Sequence, residues 1–201
     1  MTSVVIAVHS GYGHTARQAE AVARGARAVQ GTSVEVRDVA VLSEELWDAL
    51  AAADAIIFGS PTYMGSQSAV FQAFAEASSK VWANLGWKDK VAAGFTNSAS
   101  ASGDKLHTLT GFAVLAAQHG MHWVNLGLAP GWIFTSQGSI DDLNRLGGFL
   151  GAMAQSHSDA SPDTTPPQAD LDTAQHLGRR VAEVTRQLQL GRDRAAAGAA
   201  A

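Results

Sequence analysis

Val4-Val5-Ile6-Ala7-Val8-His9-Ser10-Gly11-Tyr12-Gly13-His14-Thr15 is the stretch on which the reading of the chain turns. Val4 to Val8 is a continuous apolar run of strand length, as expected of a strand covered on both faces by helices. The chain then turns at Gly11 and Gly13 and enters a helical pattern, with Ala16, Ala19, Val22, Ala23, Ala26 and Val29 along one face. Strand, glycine turn and alanine-faced helix, in that order, open a parallel α/β sheet.

Outward from this unit the same rhythm repeats. Val34-Glu35-Val36-Arg37-Asp38-Val39 alternates apolar with polar, which predicts a half-exposed strand at a sheet edge. Ala55-Ile56-Ile57-Phe58-Gly59 and Val91-Ala92-Ala93-Gly94-Phe95 are continuous runs that predict interior strands, separated by a helical stretch over 69–81. Residues 105–118 predict another helix, and Trp123-Val124-Asn125-Leu126 a fifth strand. Leu171, Ala174, Leu177, Val181, Val184 and Leu188 mark a last amphipathic helix. Five βα units with right-handed crossovers give a doubly wound five-stranded parallel sheet, and an edge second strand gives the order 2-1-3-4-5.

At 201 residues and 46% hydrophobic, the chain suits one core rather than two. Residues 1–190 are read as that domain. Residues 191–201, rich in alanine, have nothing large to bury and are expected to be disordered. Residues 156–170, holding Pro162, Pro166 and Pro167, are read as a surface loop. A net charge of -4 offers no broad cationic surface, so neither nucleic acid nor an anionic membrane is expected as a partner. There is no cysteine, which excludes disulfides, thiolate metal sites, iron–sulfur clusters and thiol nucleophiles. Redox chemistry would need a bound organic cofactor. The first residues lack a basic leader, and a cytoplasmic location is the expectation.

In such sheets a ligand binds outside the carboxyl ends of the strands, where strand order reverses. Ser10, Tyr12 and Thr15 bring hydroxyls to that point, and Gly11, Gly13 and His14 bring backbone N–H groups at a helix N-terminus. Together they suit a terminal phosphate. After the third strand, Pro61, Thr62, Tyr63, Met64 and Gly65 form a glycine-bounded loop with an aromatic and a thioether, which suits a planar ring. After the fourth, Thr96, Asn97, Ser98, Ser100 and Gly103 offer small polar groups for a ring edge or a sugar chain. The expected ligand is FMN.

The chain resembles the WrbA (tryptophan-repressor-binding protein) family of flavodoxin-like NAD(P)H:quinone oxidoreductases. Ser10-Gly11-Tyr12-Gly13-His14, Phe58-Gly59-Ser60-Pro61-Thr62 with Gly65, Gln118-His119-Gly120-Met121 and, more weakly, Gly147 to Ala152 carry the resemblance. It implies a flavodoxin-like fold with FMN as cofactor, NAD(P)H as co-substrate, a quinone-type acceptor and a homodimer or homotetramer. It also implies that 10–15 hold the phosphate, that 61–65 line the isoalloxazine, and that His119 reaches the pyrimidine side as the catalytic group. The chain departs from the family's Arg-aromatic pair at Tyr63-Met64, and from its glycine run at Ser98 to Ser102.

Other readings were weighed. Gly11 to Ala16 also fits the G-x-G-x-x-A dinucleotide fingerprint, with Asp38 placed as a ribose-binding acid, but a dinucleotide sheet normally needs a second βαβαβ half. His119 and His122 show no further ligand cluster, so no metal is expected. No G-x-S-x-G elbow occurs, and Pro61 removes the donor that Gly59-Ser60 would need to form one. A one-electron carrier would show a strongly acidic docking face, and -4 is only mildly acidic. A flavin-free interaction protein is the reading from another class.

Overall fold

The computed structural model describes residues 1–132 and 134–199. Strand β1, Thr2–Val8, is the centre from which the sheet grows. It pairs in parallel with β2, Thr32–Asp38, on one side and β3, Ala55–Tyr63, on the other. Two flanking strands and two helical layers leave Val4, Ile6 and Ala7 fully buried, as the apolar run predicts. β3 continues into a two-residue strand β4, Ser66–Gln67, that folds back on it antiparallel. Its other edge pairs in parallel with β5, Val91–Ser98.

The fifth position of the sheet is split. β6, His122–Trp123, pairs with the start of β5, and β7, Ala152–Gln155, pairs with its end. The order is β2-β1-β3-β5-β6, so with β4 set aside the expected 2-1-3-4-5 arrangement holds. The fold is flavodoxin-like. The expected strand over 123–126 is shorter than its apolar run: Val124 N–H still donates to the Ala92 carbonyl at 2.7 Å, but Leu126 N–H turns to Phe149 at 3.0 Å. The chain loops out between them and returns as β7.

Helix α1, His14–Arg27, and the long α6, Gln168–Ala199, cover one face of the sheet. They pack the alanines of α1 against Ala174, Leu177 and Val181 over Val4, Ile6 and Ile57. The other face carries α2, Glu44–Ala52, α3, Ala69–Ala77, the short α4, Ser79–Trp82, and α5, Lys105–Gln118. Its core is aromatic, with Phe58, Phe71, Phe74, Trp87 and Phe112 over Val5, Ala7 and Ile56. Residues alternate in β1 between these two cores, as a period of two requires.

Three elements differ from the sequence pattern. The helix over 69–81 is interrupted at Ser78, whose hydroxyl donates to the Ala75 carbonyl at 2.7 Å. Ser43, whose hydroxyl accepts from Leu46 N–H at 3.4 Å, opens α2, a helix additional to those the sequence pattern predicts. The 191–201 tail continues α6 as helix to Ala199 rather than breaking up, because alanine is the residue least averse to a helix. Arg192 donates to the Asp89 carbonyl at 2.6 Å and ties that extension to the body. Ala200 and Ala201 lie outside the described residues, as does Ile133.

Candidate functional site

Three loops converge at the carboxyl ends of β1, β3 and β5. The first, between β1 and α1, is built as a helix N-terminus. Gly13 sits at the cap with φ 91°, a left-handed conformation that a side chain would strain. Ser10 Oγ accepts from Ala16 N–H at 3.0 Å, which closes the turn. His14 and Thr15 N–H groups, in the first helical turn, have no intrahelical acceptor and carry the positive end of the helix dipole. Thr15 itself is buried, whereas Tyr12 stands 77% exposed. The proline-bearing loop after β7 lies across this turn: His14 Nε2 meets the Ala160 carbonyl at 2.9 Å and Arg17 donates to the Pro162 carbonyl. What the sequence presented as a plain surface loop is therefore packed against the start of α1.

The second loop is a tight hairpin. Tyr63 pairs with Ser66, and Met64 and Gly65 make the turn with φ 49° and 85°. Two consecutive left-handed residues give the turn that matches the twist of its strands, and Gly65 takes the second at no steric cost. Met64 is thereby thrust fully into solvent. Tyr63 meets Tyr12 edge to face, with centroids 6.2 Å apart and an interplanar angle of 67°. The Tyr63 hydroxyl lies over the first loop, where a Cβ built on Gly11 would come within 2.4 Å of it. Burial, with Tyr12 second, raises the Tyr63 phenol above its ordinary value, so it stays a neutral donor. The two tyrosines bridge the strands between which the sheet reverses.

Beneath the hairpin, Thr62 Oγ1 shares hydrogen bonds of 2.8 Å with Thr96 Oγ1 and with Thr108 Oγ1. This buried cluster rivets β3, β5 and α5 together. Thr62 and Thr96 thus act on the site by holding its strands, while Pro61 packs inside. Asn97 Oδ1 accepts from Ser156 Oγ at 3.0 Å and joins the third loop to the proline-bearing one. Ser98 Oγ turns inward to the Ser100 carbonyl at 3.4 Å. Gly103 and Asp104 then lead into α5, each with φ 54°.

His119 is not part of this cluster. It follows the last residue of α5, and α5 spans fourteen residues, a length of about 21 Å at the helical rise. The residue that pairs with the first position of β5 is His122, so His119 lies at the opposite, amino edge of the sheet. There its Nε2 meets Ser78 Oγ at 2.9 Å, and its ring lies 4.3 Å from the Trp87 ring centroid. It is 1% exposed, and burial lowers its pKa below the ordinary value. Within this chain His119 and the strand-end loops lie apart, because a βα crossover carries the chain from one edge of the sheet to the other. An open groove of about 1320 Å³ between α3 and α5 runs from Gln67 and Asp104 beside the hairpin to Ser78 and His119.

The sequence reading missed Lys105. It is fully buried at the start of α5, and its ammonium donates to the Ser100 and Ala101 carbonyls. Next to it, Arg145 holds Asp170 with two bonds, at 2.7 and 2.8 Å, and Asp170 also accepts from Gln155 N–H at 2.9 Å. Burial brings the Lys105 pKa down to about 8, with Asp170 acting against the shift and Arg145 with it.

A helix N-terminus whose first N–H groups lack intrahelical acceptors, an aromatic mouth and a loop of small polar residues suit a phosphate, a planar ring and a polar ring edge in turn, and so fit FMN. The comparisons agree. Residues 5–129 match the NADPH-dependent FMN reductase family. The chain belongs to that family. The flavodoxin FldP of Pseudomonas aeruginosa (strain UCBPP-PA14) is 46% identical over 188 residues, covering 94% of this chain and 99% of that protein. An NAD(P)H dehydrogenase (quinone) of Solidesulfovibrio magneticus is 31% identical over 208 residues, covering 93% and 99%. The crystal structure of the flavodoxin, WrbA-like protein from Agrobacterium tumefaciens superposes with a TM-score of 0.71 at 46% identity, covering 93% and 99%. The WrbA-like resemblance holds. At family level the chain is a flavodoxin-like oxidoreductase with FMN as its flavin and NAD(P)H as its reductant. Among the described residues no helix is long and apolar enough to cross a membrane.

Proposed function

We propose that the chain passes two electrons from NAD(P)H, by way of FMN, to a quinone or a similar small acceptor. The observation that carries this reading is the open aromatic mouth at the strand ends, where Tyr12 and Met64 project into solvent around Tyr63. A ring held there keeps one face within reach of a diffusing partner. Bound FMN supplies the hydride chemistry, and the protein supplies position, polarity and exclusion.

The first-turn N–H groups of α1, with Ser10, Gly11, Tyr12, Gly13, His14 and Thr15 around them, receive the phosphate. Pro61 to Gly65 set the plane of the ring. Thr96, Asn97, Ser98, Ser100 and Gly103 form the polar side. Tyr63, held neutral, donates to an acceptor oxygen and does not repel electron density. The pair of exposed tryptophans Trp82 and Trp132 along the groove supports assembly into a homodimer or homotetramer, which sedimentation would measure. We place this activity in the cytoplasm.

The test is an anaerobic titration of FMN-reconstituted protein with NADPH and then NADH, followed at the visible flavin band. Full bleaching within turnover time, reversed by added quinone, is the expected result. Flavin that binds but is bleached by neither nucleotide would favour a one-electron carrier, the reading supported by the name of the 46%-identical flavodoxin. Failure to take up flavin at all would leave the interaction-protein reading.

A further inference from the structure

Lys105 is a buried cation at the flavin end that the reading above does not use. Its ammonium binds the Ser100 and Ala101 carbonyls from below, while Ser100, Ala101 and Ser102 lie exposed above it. In a trans peptide the C=O and the following N–H point in opposite directions, because the unit is planar. Drawing those two carbonyls inward therefore turns the N–H groups of Ala101 and Ser102 outward. Gln155 Nε2 takes the Ala99 carbonyl at 3.0 Å and turns the next N–H, that of Ser100, the same way. No acceptor for the Ala101 or Ser102 N–H is found among the described residues. Successive outward N–H groups form a concave donor site for electronegative atoms.

We propose that Lys105 is a positioning residue for the flavin, aiming the N–H groups of Ala101 and Ser102 at the electronegative carbonyl edge of the FMN ring. This rests on FMN lying at the strand ends as proposed above. The backbone agrees with such a hold. Asp104, a non-glycine residue with φ 54°, is in a conformation that costs energy and persists only where its surroundings fix it. Asp170 of α6 and Arg145 of the segment between β6 and β7 are the charged groups that act on the ammonium.

The grip depends on the charged form, and burial brings that form's pKa to about 8. Two effects of opposite sign follow. Between about 8 and the ordinary lysine value the folded protein holds fewer protons than the unfolded chain, so the Lys105 contribution makes apo stability rise with pH. FMN affinity behaves in reverse. It is full below about 8 and weakens as pH rises, by at most about tenfold per unit for one linked proton.

The experiment is FMN binding by fluorescence quenching across this range for wild type, Lys105→Arg and Lys105→Met, with thermal unfolding of each apo protein. Lys105→Arg keeps two donors and stays charged throughout, so it should bind as wild type does near neutrality and lose the alkaline weakening. Lys105→Met should bind about tenfold more weakly near neutrality, as expected for two misaimed hydrogen bonds, and with a flat profile. If Lys105→Met fails to fold, the comparison of Lys105→Arg with wild type decides. The same alkaline slope in Lys105→Arg as in wild type, with FMN still bound, would overturn the role of Lys105 and leave the flavin reading standing. Wild type that takes up no FMN at any pH would overturn both.

Discussion

Lys105 and His119 stand at the two ends of α5, and both are buried, at 0% and 1% exposure. Desolvation acts on both in one direction, lowering the pKa of each by penalising its charged form. The outcome is opposite. Lys105 starts so high that a fall to about 8 leaves it charged at neutral pH, with two carbonyls turned to receive it. His119 starts near neutrality and any fall leaves it neutral, bonded to one hydroxyl, packed on Trp87, and with Nδ1 unpartnered. Burial by itself says nothing of function; the partners and the charge that survives do.

The largest test of this contrast is Asp170→Ala, which strips the carboxylate from beside Lys105 and leaves Arg145 buried and uncompensated. Urea unfolding should show a loss of about 3–5 kcal/mol, the usual cost of breaking a buried pair from one side. At the other end, His119→Ala removes a packed ring and one hydrogen bond and should cost about 2 kcal/mol. Its FMN affinity should stay within about twofold of wild type, well under the 1.4 kcal/mol that marks a tenfold change. A tenfold loss of affinity in that variant would mean that the two ends are coupled and that the contrast is wrong. Gly13→Ala returns to the flavin end with a smaller effect. At φ 91° a side chain should cost about 1–2 kcal/mol in thermal stability, its Cβ coming within 2.9 Å of Pro162, and FMN binding should weaken with it as the first turn of α1 shifts.

Much of the fold was legible because each decisive element carries its own local pattern. The β1 run, the glycine turn and the alanine face of α1 need nothing from the rest of the chain, and α5 runs over 105–118 as its spacing predicts. β7 was not legible: Ala152-Met153-Ala154-Gln155 has no β-branched residue, and it is a strand because β5 offers an unpaired edge there. The loops proposed for phosphate and ring stand out by their residue types. The Ser78–His119–Trp87 contact and the burial of Lys105 arise from crossovers that bring distant segments together, and a lone histidine or lysine in a sequence gives no sign of either. The hydroxyl of Thr62 bonds to those of Thr96 and Thr108, a buried tie that residue type alone does not announce.

The smallest effect sharpens the contrast most cleanly. Since burial lowers the His119 pKa, the unfolded chain takes up that proton first as pH falls below the ordinary value of 6.5. The unfolded state then holds more protons than the native one, and stability must drop as pH falls further. The His119 contribution is intact above that value and is lost progressively below it. His119→Phe keeps a ring against Trp87 and removes the titration, so the difference in urea midpoint between wild type and variant should narrow as pH falls. The six other histidines are common to both proteins and cancel in that difference. A difference that stays constant through the window would show that His119 is not held neutral, and the two ends of α5 would then differ in place but not in charge.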